Sequence, residues 1–123
     1  MTVVTFVGTK RAVKFDLTVE QGTDLDFPIT VLDEADVERN FASYTARMQI
    51  RAVKDSDTVL WEMTTANGKI TTGDGKITLH FLNTDFVGVD WIDGEYDLEV
   101  VSALSKVERI LEGHFHIDTE VTR

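Results

Sequence analysis

The chain has no cysteine, which excludes disulfide staples, thiolate metal ligands and thiol nucleophiles together. Basic residues are scarce as well. Twelve Lys and Arg stand against 22 Asp and Glu, for a formal charge of -10. Nucleic-acid affinity comes largely from basic side chains that displace counterions, so this balance argues against a nucleic-acid partner. The two basic clusters, Lys10-Arg11 with Lys14 and Arg47 with Arg51 and Lys54, read as solvated strand faces. No apolar run approaches the length that crosses a bilayer, so no membrane partner is expected. The opening Met-Thr-Val-Val-Thr-Phe-Val is too short for the apolar region of a signal peptide and follows no basic residue. These absences lead to the expectation of a protein made in the cytoplasm without an export signal. A single proline, Pro28, interrupts the chain.

What is present is alternation. At 123 residues the chain is one domain by length, long enough to bury a core without staples. From Asp93 to Arg123, apolar residues recur at every second position: Tyr96, Leu98 and Val100, then Leu111, Gly113, Phe115 and Ile117. Period two means strands with one buried and one wet face, and the two runs pair most simply as an antiparallel hairpin. The same pattern marks Val13 to Val19, Leu25 to Val31, Tyr44 to Ile50, Val59 to Met63 and Ile77 to Phe81. Pro28, on the polar face of its run, predicts a position at an edge or bulge. Asn67-Gly68 and Asp74-Gly75 are preferred pairs for tight hairpin turns with positive φ at both central residues, and they bracket a short strand over 69–72. Asn83-Thr84-Asp85 has helix-start chemistry. Trp91 and Ile92 are expected to plug the end of the core.

The fold expected is all-β: a two-layer antiparallel β-sandwich, immunoglobulin-like, with one short helical turn near 83–88. Residues 1–11 are an N-terminal arm or edge strand and residues 12–123 the single sandwich domain. Asp93-Gly94-Glu95-Tyr96 resembles the corner motif of immunoglobulin-like sandwiches, in which a tyrosine hydroxyl bonds back to upstream backbone. An ordinary core tyrosine at a strand start fits the same residues.

Reactive constellations are hard to find. His114 and His116 share one strand face with Glu112 and Asp118 and could chelate a metal. With Phe115 and Ile117 on the buried face, they read as wet side chains lacking an enclosing third and fourth ligand. The acidic loops, Asp24 with Asp26 and Asp33-Glu34 with Asp36, lack the internal glycine of a calcium loop. Ser43, Ser56, Ser102 and Ser105 lie outside any nucleophile-elbow context. Trp61 and Trp91, which could stack on sugars, sit among alternating apolar residues and read as core. No catalytic, cofactor-binding or metal residue is assigned, and no cofactor.

Five blocks suggest a family. Phe15-Asp-Leu-Thr-Val-Glu-Gln-Gly22, Tyr44-Thr-Ala-Arg-Met-Gln-Ile-Arg51, Tyr96-Asp-Leu-Glu-Val100, Leu111-Glu-Gly113 and Glu120-Val-Thr-Arg123 resemble small virion structural proteins of tailed bacteriophages and prophages. The likeness in fold is to the N-terminal domain of phage baseplate upper proteins. It spans about Phe15 to Arg123 and departs before Tyr44, where Asn40-Phe41-Ala42-Ser43 replaces a more usual Asp-Leu-Thr-Gly turn. The resemblance implies a non-enzymatic building block of the particle, a tail or baseplate adaptor made in the host cytoplasm and localised to the virion. Its partners would be other virion proteins, with homo-oligomers in the particle. Alternatives are a capsid-associated or decoration protein of the same phage, or a carbohydrate-binding β-sandwich module. On this reading the outer face of the terminal hairpin is an acidic strip for solvent or a partner, and the terminal Glu-Val-Thr-Arg is ordered.

Overall fold

The computed structural model describes residues 4–7 and 12–121. Its strands are β1 (Val4–Val7), β2 (Val13–Lys14), β3 (Leu17–Glu20), β4 (Leu25–Leu32), β5 (Thr45–Arg51), β6 (Trp61–Thr64), β7 (Ile70–Gly73), β8 (Lys76–Phe81), β9 (Asp93–Val101) and β10 (Val107–Asp118). One sheet runs β1-β4-β8-β7. The other runs β2-β10-β9-β5-β6, with β3 continuing the edge of β2 along β10. Described residues hold no helix.

The strands form where the alternation falls. On β4, Phe27, Ile29 and Val31 are buried; on β5, Ala46, Met48 and Ile50; on β8, Ile77, Leu79 and Phe81. These residues face Tyr96, Leu98, Val100, Leu111, Phe115 and Ile117 of the terminal hairpin in one core. Side chains alternate across each pleat, so two such sheets bury their inward sets against each other. The hairpin itself pairs Val107 with Val101 through His116 with Asp93, antiparallel. Its register shifts at Ile110, where Ile110 and Leu111 are both buried. Two consecutive apolar residues break period two, and a bulge lets both reach the core.

Several expectations change in detail. The antiparallel pattern gives way at the edges: β1 runs parallel to β4, and β2 and β3 run parallel to β10. The N-terminal segment expected as an arm or edge strand contributes Val4–Val7 as the edge strand β1; its other residues up to Arg11 lie outside the described residues. Pro28 precedes the four residues of β4 that pair with β1. There β4 has a neighbour on only one side, so a missing N–H is tolerated. The helical turn expected near 83–88 is a run of hydrogen-bonded turns, closed by Asp85 N donating to Leu82 O and Val87 N to Thr84 O. Asp74-Gly75 does close a hairpin between β7 and β8. Only Gly75 has positive φ, +85°, while Asp74 bridges to Asn40. Asn67-Gly68 makes no hairpin: β6 before it pairs with β5, and β7 after it lies in the other sheet. The Asn67 side chain accepts from the N–H groups of Thr64 and Lys69, so it shapes a corner where the chain changes sheets.

The expected strand from Val13 to Val19 is interrupted at Phe15 and Asp16. Tyr96 explains the break. Its hydroxyl donates to the Phe15 carbonyl across β10, over Gly113, the residue paired with Tyr96. This is no local corner, since the acceptor lies 81 residues upstream. Asp16 compensates with its side chain, which accepts the His114 N–H at 2.9 Å.

Candidate functional site

The chemistry of the molecule is concentrated on the outer face of the six-stranded sheet. Period two sends Arg47, Gln49 and Arg51 of β5 outward, with Asp93, Glu95, Asp97 and Glu99 of β9 and Glu112, His114 and His116 of β10. The register sets Arg47 opposite Glu99, Gln49 opposite Asp97 and Arg51 opposite Glu95. Arg47 Nε reaches Glu99 at 2.9 Å, and Arg109 lies 3.5 Å from Asp97 and 3.3 Å from Glu112. The acidic strip expected on the hairpin is thus bordered by cations from β5 and β10. Such surface ion pairs, two across strands and one along β10, each contribute at most about 1 kcal/mol. Burial and the neighbouring Glu99 still push the Asp97 carboxyl above its ordinary pKa, with Arg109 opposing them.

At the opening of β9, three ligand-type side chains converge. His114 and His116 project from the same face of β10, and antiparallel pairing puts Asp93 opposite His116. Asp93 Oδ1 lies 2.9 Å from His114 Nε2 and 2.7 Å from His116 Nδ1. All three side chains are about half exposed, at 52%, 48% and 39% respectively. The contacts with His116 and then His114 hold the Asp93 carboxyl below its ordinary pKa. Among the described residues this is the group of three that could surround a metal ion. The histidine pair was legible from its spacing; Asp93, more than twenty residues earlier, was missed because only strand pairing brings it near.

Other candidates resolve into structural roles. Asp33 Oδ1 accepts from the N–H groups of Ala35 and Val37, closing its own loop. Asp24 accepts from Asn83 N, and Asp26 contacts His80 at 2.7 Å. The Ser56 and Ser102 hydroxyls accept backbone N–H groups within their turns. Trp61 and Trp91 are half-buried against the core, with ring centroids 4.8 and 6.0 Å from Phe86. Phe86 also packs on Phe81 and Phe115. Trp91 packs on Phe86 and Phe115 at the end of the core, as expected, whereas Ile92 is 45% exposed. Lys10 and Arg11 of the first basic cluster lie outside the described residues, as do Thr122 and Arg123 of the terminal block.

Three loops meet at one end of the molecule. Asn40 of the β4–β5 loop bridges Asp74 of the β7–β8 turn. Arg39 of the same loop grips Glu108 at the start of β10 through two bonds of 2.7 and 2.9 Å. That contact raises the pKa of Arg39. Val37, Leu104 and Val107 stand exposed at this end.

A four-stranded sheet facing a sheet with the β10-β9-β5-β6 order, joined by the crossovers seen here, defines an immunoglobulin-like β-sandwich. No protein-family model matches the chain, and no curated protein sequence matches it. Among solved structures it aligns with extracellular domains 3–5 of Drosophila OTK. That alignment covers 90% of this chain and 35% of the other, at 9% identity and a TM-score of 0.35. The strand order, not this alignment, carries the assignment.

Proposed function

We propose that the protein is a non-enzymatic structural module of a tailed-phage particle, a tail or baseplate adaptor that docks other virion proteins. The observation behind this reading is where the family-like blocks fall. The blocks beginning at Phe15, Tyr44, Tyr96 and Leu111 are separated in sequence, yet they occupy neighbouring strands of one sheet, β3-β10-β9-β5. Three of them meet in the single contact of Tyr96, Gly113 and Phe15. They therefore form one packed unit.

Quantitative mass spectrometry of particles purified from an induced culture of the encoding host tests the proposal. The protein is expected at a fixed copy number per particle, and its absence from intact particles overturns the reading. Cryo-electron microscopy of those particles then separates a tail or baseplate position from a capsid-bound one.

A further inference from the structure

We propose that Asp93, His114 and His116 form a surface site for a divalent first-row transition ion, with zinc the natural occupant. One ligand atom from each of the three residues lies within 4.8 Å of the others, and binding requires the side chains to close around a centre about 2.0–2.2 Å from each. Two imidazoles with one carboxylate suit zinc and its neighbours, whereas calcium and magnesium prefer oxygen ligands throughout. Three protein ligands on a half-exposed face leave the remaining position open to water, unlike the closed four-ligand set of a structural zinc site.

The sheet supplies the preorganisation. Two ligands sit on one strand at alternate positions, and the third lies directly across the ladder from His116. Little backbone freedom therefore remains to be lost on binding. The His114 backbone is further fixed by its N–H bond to Asp16. At present Asp93 draws both imidazoles toward a single oxygen. On binding, the inward nitrogen of each ring gives up its proton, to the outward nitrogen if the ring is neutral or to water if it is an imidazolium, and its freed lone pair makes the N–metal bond in place of the contact with Asp93. Glu95 lies opposite His114 in the register, and Asp118 follows His116 on the same face of β10, so the surrounding field favours a cation. Of the lysines on this face, Lys14 is the register partner of Glu112 and Lys54 lies 3.6 Å from its carboxylate, two residues before His114.

Titration of chelator-treated protein with zinc by calorimetry, and with cobalt by visible absorption, tests the site without reference to any phage particle. The expected result is one ion per chain with a dissociation constant at or below about 10 µM, and a Tm that rises with zinc concentration. His114→Ala, His116→Ala and Asp93→Asn are each expected to weaken binding about tenfold or more. His80→Ala removes the remaining histidine, on the other sheet, and leaves binding unchanged. Should an alanine variant lose the native circular dichroism spectrum, His114→Gln and His116→Gln take its place. Absence of saturable binding overturns the inference, as does binding that survives these substitutions or is lost equally in His80→Ala. An unsuccessful titration leaves the assembly proposal standing, and absence from particles leaves the metal site standing.

Discussion

A methyl group at Gly113 would lie 2.4 Å from the Phe15 carbonyl oxygen and 2.8 Å from its carbon, because the backbone before β3 presses down on β10 there. Both offending atoms are backbone, so Gly113→Ala forces strand against strand. A loss of about 1–3 kcal/mol is expected, read from the urea midpoint. Tyr96→Phe removes the donor to the Phe15 carbonyl in a partly buried hydrogen bond and should cost about 1–2 kcal/mol. Burial also pushes the Tyr96 hydroxyl well above its ordinary pKa. The folded state therefore keeps a proton that the unfolded chain releases near pH 10. The stabilisation is complete below that pH and is lost as pH rises toward the folded value. Alkaline melts should show this fall in the native protein, and less of it in Tyr96→Phe. Phe115 is fully buried and touches Phe81, Phe86, Trp91 and Tyr96. Phe115→Ala should cost roughly 3–5 kcal/mol, enough to unfold a marginal domain. That Tyr96 and Phe115 are core residues was legible from alternation. The contact of Tyr96 with Phe15 was not, since no local pattern records a neighbour 81 positions away.

Among the elements, β9 and β10 are flanked on both sides, β9 by β10 and β5, β10 by β9 and the β2–β3 edge. Edge strands β1, β6 and β7 have one neighbour each. Native-state hydrogen exchange should accordingly be slowest in β9 and the central part of β10, and faster in β6 and β7. Comparable protection along β6 and β9 would contradict this order. The elements also show how far local signals reach. Asn67-Gly68 and Asp74-Gly75 are similar as dipeptides, yet one turns a corner between sheets and the other closes a hairpin. The difference lies in which strands are available to pair. Likewise Asn83-Thr84-Asp85 begins like a helix, but Phe86 is drawn into the aromatic cluster after two tight turns. Core packing overrides the local start signal.

For the molecule as a whole, a formal charge of -10 makes the compact state repel itself, and salt screens that repulsion. Added sodium chloride should raise the Tm, while weakening the cross-strand pairs of the outer face only slightly; a fall in Tm would mean that those pairs dominate. Sequence by itself determined the class of fold and most of the inward-facing set, because one-sided strands in this number have few ways to hide their apolar faces. It also determined that His114 and His116 share a face, because alternation is a property of each strand alone. Only the tertiary structure decided the parallel edges, the path of the chain between sheets, the reach of Tyr96 over Gly113 and the approach of Asp93 to the two histidines. All four depend on which strand lies beside which, and pairing across a sheet is set by contacts between residues far apart in the chain.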